Sequence, residues 1–521
     1  MDSVRDVLPL PLVAVLLLVV HLYLRRSRLA ARSRGHPLPP GPPRLPILGN
    51  LFDIPKDVPW EVYRNLNRQY GNIISLQVMD QIIVVIDDVT IAVELFERRS
   101  AIYSSRPTSN VIALSGWTQS LPLMPYGQWW RSHRRMFWQR FHPGVVSRQF
   151  PLQEDAVRQL LLRLLNTPEH FSEHVRYTLS AAMVKSTYGV NVAEEDDKYI
   201  ATAEAGSATN EILLHAPTAL EFFPLSLLDH IPRWIPGLGV LHRVKEGRDA
   251  VNKARLVPWT DGKALMASSN HFMLTLVSAV VEELSHLDDD SAAAKEEVAV
   301  NVAASAYTAG VETLHSAITA FLLAMSLYPD VQRKVQEELD KVISPNRLPE
   351  LGDYDSLPYT KATVKEALRW HSCSNAHDVY NGYFIPEGSV VMFNAWATFQ
   401  NPETYPEPHK FIPERYLGGT DQFATGCTDP TTIVFGYGRR ICPGRYLADA
   451  IMFLYIASIL HTFDITPPVD ESGNPIRIEP RATTGISSNL VDCRCQLKPR
   501  SPGAEFLIRG YRKDEALALS G

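Results

Sequence analysis

Cysteine is scarce. The 521 residues contain five, Cys373, Cys427, Cys442, Cys493 and Cys495. So few in so long a chain exclude a disulfide scaffold, and the lack of any Cys-x-x-Cys pair excludes the usual cysteine zinc sites. An excess of positive charge is missing too. Lys and Arg number 51 against 57 Asp and Glu, a net charge of −6, so no basic field argues for nucleic acid. No Asn-x-Ser/Thr sequon occurs, which is consistent with a cytosolic body. Repeats and low-complexity tracts are absent. With 45% apolar and 21% charged residues the composition is globular, not disordered, collagen-like or coiled-coil. Glycine (28) is outnumbered by proline (38), which points to stiff, extended connections.

Long apolar runs are also lacking, with one exception. Leu8 to Leu24 reads LPLPLVAVLLLVVHLYL, without a charge. As a helix it spans roughly 25 Å, close to the ~27 Å hydrocarbon thickness of the endoplasmic reticulum membrane. Each Leu or Val contributes about −0.3 to −0.6 kcal/mol to insertion, which outweighs two prolines near one end. A cleaved signal peptide would need a positive start, but residues 1–7 read MDSVRDV. The positive charge follows the run, at Arg25, Arg26, Arg28, Arg32 and Arg34. The expectation is an uncleaved single-pass anchor at 8–24, with residues 1–7 luminal and the rest cytosolic. Residues 25–50 form a basic linker that becomes proline-rich (HPLPPGPPRLPILGN), a stiff spacer that cannot be helical.

The body, 51–500, alternates first and turns helical afterwards. Residues 72–88 read as a β-hairpin around Met79-Asp80-Gln81. From Asp155 onward Val157, Leu160, Leu161, Leu164 and Leu165 share one face. Val298 to Met325 is a long apolar helical stretch, Asp330–Ile343 and Thr360–Trp370 are amphipathic, Val390–Phe393 reads as a strand, and Ala448–Thr462 as a last apolar helix. The fold class is therefore mainly α with small β-sheets, one large domain followed by a tail, 501–521, that fits no motif.

The chemistry concentrates in residues 435–448, FGYGRRICPGRYLA. Phe435, Gly438, Arg440, Cys442 and Gly444 satisfy F-x-x-G-x-R-x-C-x-G. Glycines let a backbone approach something bulky. Pro443 suits a first helical turn, which puts Cys442 at the positive end of the last helix, where the dipole and nearby amides lower a thiol pKa. A thiolate on a fixed loop, with Arg439, Arg440 and Arg445 near, suits the axial position of a haem iron. A buried structural cysteine would not need glycine on both sides and an adjacent proline.

On these residues the chain resembles the cytochrome P-450 family, in particular its fungal microsomal haem-thiolate monooxygenases, and the agreement runs from the anchor to near residue 500. The resemblance implies the cytochrome P-450 fold with an N-terminal transmembrane helix, and haem b ligated by Cys442. It also implies O2 as oxidant and NADPH acting indirectly through a membrane-bound reductase, with cytochrome b5 as a further donor. The substrate would be a lipophilic small molecule entering by a mouth near Leu220–Leu241, in secondary metabolism or xenobiotic oxidation. Ala309-Gly-Val-Glu-Thr313 is similar to the family's oxygen-binding motif. Gly310 would make room for a diatomic ligand, the Thr313 hydroxyl would open the helix and bond oxygen, and Glu312 would relay protons. Glu366 and Arg369, one helical turn apart, would join Arg415 of Pro413-Glu-Arg-Tyr416 in a structural lock; on their own they read as a surface ion pair worth about 0.3–0.5 kcal/mol. In Tyr126-Gly-Gln-Trp-Trp130-Arg-Ser-His-Arg134-Arg135, Trp130 and Arg134 would meet a haem propionate, as would Arg440, while Arg131, Arg135, Arg439 and Arg445 would attract an acidic electron donor. One departure stands out. After Trp370 the chain reads HSCSNAHDVYNGYFIP, several residues shorter than the family pattern, and no haem contact is carried onto His371 or His377. Two other readings remain open: a haem-thiolate isomerase, dehydratase or peroxygenase needing no reductase, and a non-catalytic haem-binding membrane protein.

Overall fold

The computed structural model describes residues 35–518, apart from 80, 108–109, 216–238, 269–274, 372–382, 419–425 and 486–487, together with isolated earlier positions; side chains within 210–242 and beyond 510 are not described. The expected anchor (save Val20 and Tyr23), the mouth near 220–241 (save the backbone of 239–241) and the short segment 372–377 lie outside the described residues.

The chain divides into two compact units, residues 1–103 with 375–398, and residues 104–374 with 399–521. The smaller unit has helix α1 (Pro59–Tyr70) and a three-stranded sheet. Strands β1 (Ile73–Val78) and β2 (Gln81–Ile86) form the expected hairpin, Val78 opposite Gln81 and Ile73 opposite Ile86. Strand β3 (Val390–Phe393) pairs parallel to β2, Ile83 beside Val390. Tyr63, Ile74, Leu76 and Val85 make its core, and β1 is buried on both faces, every residue but Gln77.

The larger unit is helical. Its longer helices are α2 (Gln128–Phe141), α3 (Phe150–Asn166), α4 (Phe171–Tyr188), α5 (Lys198–His215), α6 (Gly239–Ser268), α7 (Leu276–Leu284), α8 (Asp289–Leu327), α9 (Pro329–Val342), α10 (Pro358–Trp370) and α11 (Arg445–Thr462). A two-stranded sheet follows, β4 (Phe463–Thr466) antiparallel to β5 (Gln496–Pro499). The tail that fits no motif forms α12 (Pro502–Ala518).

Helix α8 organises this unit. It packs against α4, α2, α6 and α11, and Asp288 caps its start by accepting the Ser291 amide at 2.9 Å. It is long and apolar enough to cross a membrane by composition, yet 78% of its most apolar window is buried inside the protein. It is a core helix, hydrophobic all round because neighbours cover it all round. The opening lies in its middle: between Val298 and Ser326, Ala309 alone is exposed.

Helix α11 begins at Arg445, with Gly444 as N-cap, not at Ala448. Apolar periodicity marks only the buried part, from Ala450 onward. The first turn carries Arg445 and the exposed Tyr446, so the pattern missed it. Pro443 therefore precedes the cap.

Candidate active site

The loop before α11 is closed by its own backbone. Gly436 and Gly438 have φ of 72° and 51°, a region open to glycine at little cost. A single 3-10 turn, Gly438–Arg440, follows. The Cys442 amide then donates back to the Phe435 carbonyl at 2.7 Å. The side chain of Cys442 thus leaves a hydrogen-bonded loop, half-buried, with the backbone amides of Gly444 and Arg445 against its sulfur. Burial pushes the thiol pKa up, against the pull of those amides and of the Arg134 and Arg445 charges. The lowering expected from the helix end is present but smaller than the desolvation of the thiolate. Among the described residues no three His, Cys, Asp or Glu side chains gather as a metal-holding group. A metal at Cys442 would have to bring most of its own ligands.

Helix α2 lies beside this loop. Trp130 is 5% exposed and Trp129 41%, so the buried tryptophan is the one the Tyr-Gly spacing selects. The Arg440 guanidinium stacks over the Trp130 ring at 4.5 Å. It donates to the carbonyls of Ser104 at 2.6 Å and Met124 at 2.7 Å, and at 3.5 Å to that of Leu121. Most of its donors are therefore spent on backbone, a role that sequence reasoning did not assign. Burial pushes its pKa down to about 9, helped by the like charges of Arg106 and Arg134. The Arg134 guanidinium is half-buried and makes no hydrogen bond or ion pair among the described residues, and burial lowers its pKa as well. Positive charge gathered in a desolvated place suits an anionic group. A single thiol, gathered guanidiniums and a buried indole together fit a haem with its propionates.

On the outer side Arg131 and Arg135 are exposed, as expected of a basic face. Arg439 is exposed too and donates to the Tyr126 hydroxyl at 2.6 Å. Arg445 donates to the Tyr446 hydroxyl at 2.8 Å, and Tyr446 meets the exposed Trp138 edge-on at 6.3 Å.

The opening in α8 departs from the expectation for Thr313 and gives Gly310 and Glu312 partners within the chain. Thr313 donates to the Ala309 carbonyl at 2.8 Å while the helix runs on unbroken. Its hydroxyl fills the i−4 acceptor and does not open the turn. A Cβ on Gly310 would sit 3.1 Å from Met183 Cε. The missing side chain leaves room for the Met183 side chain of α4. Glu312 does not stand in solvent: it accepts from Arg176 Nη1 at 2.8 Å. Arg176 also lies 3.8 Å from Glu204 and 3.3 Å from His315 Nδ1, and His315 Nε2 meets Ser172 at 3.0 Å. Burial and the Arg176 charge hold the His315 pKa down, to about 4. No local pattern pointed to Arg176, which lies 136 residues before Glu312.

The lock is complete and fully buried, not a surface pair. Arg369 donates to Glu366 through Nε and Nη2, both at 2.8 Å, and to the carbonyls of Phe399, Pro408 and Lys410 at 2.8–3.0 Å. All five of its N–H groups are used. Arg415 Nε lies 3.4 Å from Glu366 Oε1, which also accepts the Ile412 amide at 2.8 Å. Glu366, Arg369 and Arg415 are 0%, 0% and 2% exposed as side chains. Burial alone would lower the Arg369 pKa, and the Glu366 carboxylate more than reverses it. His371, left without a haem role, spends its Nε2 on the Ser316 hydroxyl and the Ser488 carbonyl at 2.9 and 3.1 Å.

Comparison with known proteins gives one consistent result. Residues 39–490 match the family described as Cytochrome P450. The chain is 36% identical over 498 residues to cytochrome P450 monooxygenase COX2 of Coprinopsis cinerea, covering 92% of each protein. It is 34% identical over 504 residues to tryptamine 4-monooxygenase of Psilocybe cyanescens, covering 94% of this chain and 98% of that one. Among solved structures, a zebra fish cytochrome P450 crystallised with abiraterone superposes with a TM-score of 0.67 at 20% identity, over 85% of this chain and 100% of that chain.

Proposed function

The chain belongs to the cytochrome P450 monooxygenase family, and from that premise we propose that it holds haem through the Cys442 sulfur and oxidises a lipophilic small molecule. The observation that carries the assignment is the Cys442 loop, whose amide closes on the Phe435 carbonyl at 2.7 Å while the side chain stays half-buried. When bound, the haem iron supplies the oxygen chemistry: substrate, O2, two electrons and two protons give oxidised substrate and one water.

The chain's own residues do the rest. The Gly444 and Arg445 amides share charge with the sulfur and tune how strongly it donates. Arg134 and Arg440, the latter held over Trp130, would neutralise the haem propionates. Phe435, Gly438 and Gly444 shape the loop. On α8, Ala309 leaves the helix wall open, Gly310 lets α4 close behind it, and the Thr313 hydroxyl turns from the Ala309 carbonyl to hand on a proton. Glu312 supplies that proton when its bond to Arg176 loosens. The exposed Arg131, Arg135 and Arg439 form the basic face for an acidic reductase fed by NADPH, or for cytochrome b5. The apolar run 8–24 and the arginines after it support an anchor in the endoplasmic reticulum with the body cytosolic.

The test is a carbon-monoxide difference spectrum of the reduced full chain, with product formation on NADPH and reductase. Native protein is expected to give the red-shifted thiolate band, and Cys442→Ser to lose both band and product. A serine variant that keeps them overturns the assignment.

A further inference from the structure

A small cavity of about 30 Å³ lies within the larger unit, lined by small side chains and a few polar ones, among them Trp117, Gln119, Arg255, Asn301, Ser305 and Thr308. That admits a carboxylate head group but not a whole small molecule. It ends at Thr308, one residue from the exposed Ala309. Arg255 projects from α6 and makes one hydrogen bond, Nη1 to Asn301 Oδ1 at 2.8 Å. Its Nε–H is buried without a partner. The carboxylate that acts on it, exposed Glu297, forms no ion pair with it. An arginine beside a cavity with an unmade buried donor is costly unless an anion joins it.

The orientation of Arg255 is set from behind. Asn301 is 1% exposed and His133 0%. His133 Nδ1 lies 2.8 Å from the Trp129 carbonyl and must donate to it. Its Nε2 is then the acceptor for Asn301 Nδ2 at 3.2 Å, and the same amide donates to Gln119 at 3.2 Å. With Nδ2 committed, Oδ1 can only face Arg255. The guanidinium is positioned, and its remaining donors are left for something else.

We propose that this cavity is a carboxylate subsite, in which Arg255 binds the acid group of an otherwise apolar substrate and Asn301 acts as its positioning residue. The apolar body would leave the cavity past Thr308 toward the exposed Ala309. A carboxylate offers two acceptors to the Arg255 fork and matches a single guanidinium in charge. The inference names the substrate class of the site proposed above and rests on that reading.

The experiment uses the full-length holoprotein in detergent and a matched pair of probes, 4-phenylbutyrate and its methyl ester, measured by equilibrium dialysis and by the shift of the haem absorption band. The acid is expected to bind at least about tenfold more tightly than the ester, since the site's donors stay unmatched by an ester. Arg255→Gln should remove that preference without changing ester binding, Arg255→Lys should keep part of it, and Asn301→Ala should weaken the acid alone. Equal binding of acid and ester to the native protein, or undiminished acid binding by Arg255→Gln, overturns the proposal. The carbon-monoxide spectrum of each variant reports separately on Cys442: a protein without the thiolate band that still prefers the acid by dialysis sinks the haem reading and leaves the subsite standing.

Discussion

Two groups of arginines lie inside the larger unit, and they are treated in opposite ways. Around Arg369 every donor has an acceptor, and Glu366 supplies the opposite charge. Around Arg440 the donors go to neutral carbonyls, and the charges nearby, Arg106 and Arg134, are of the same sign. One guanidinium has its pKa raised, the other is pushed down to about 9. A buried charge that is balanced within the chain serves the fold. A buried charge left unbalanced costs the fold unless a group of opposite sign joins it. The Arg176 network stands between the two, with one close carboxylate and a neutral histidine.

The contrast can be broken most severely at Glu366. Glu366→Gln leaves Arg369 and Arg415 buried without a counter-charge, and the expected loss is about 3–5 kcal/mol, read as a lower urea midpoint. An unchanged midpoint would remove the distinction altogether. The intermediate case is reached through pH. With its pKa down to about 4 in the folded protein against about 6.5 unfolded, His315 makes the unfolded state bind more protons between those values. Its contribution is present above pH 6.5 and is lost as pH falls toward 4, on the order of 3 kcal/mol. His315→Gln should flatten stability over that window; a variant curve parallel to the native one would show another group responsible. The smallest stability effect belongs to Arg134→Gln. Removing an unpaired like charge should leave haem-free protein as stable as before, or more stable by up to about 1 kcal/mol, while haem is lost several times faster to an apo-globin acceptor. Destabilised apoprotein with normal haem retention would place Arg134 among the structural arginines instead.

The sequence made some of this legible because the information was local. The Cys442 loop is a run of fixed residue types, and Glu366 and Arg369 are one turn apart on one helix. The hairpin follows from apolar runs around a short polar turn, and the strand Val390–Phe393 from a short run of β-branched and aromatic residues. What stayed hidden depends on pairs far apart in the chain. Helical periodicity says that Gly310 and Glu312 lie on α8, not that Met183 and Arg176 of α4 stand against them. The start of α11 was missed because its first turn is polar. Arg255 belongs to no motif, and only the meeting of α6 with α8 gives it a partner in Asn301.

The closure of the Cys442 amide on the Phe435 carbonyl has a practical corollary. Because main-chain atoms fix where the sulfur sits, side chains on either side of it can be exchanged without moving it. Redox potential and attachment are thereby separable variables, so a mutational library confined to Tyr437, Arg439 and Ile441 could retune the former while sparing the latter.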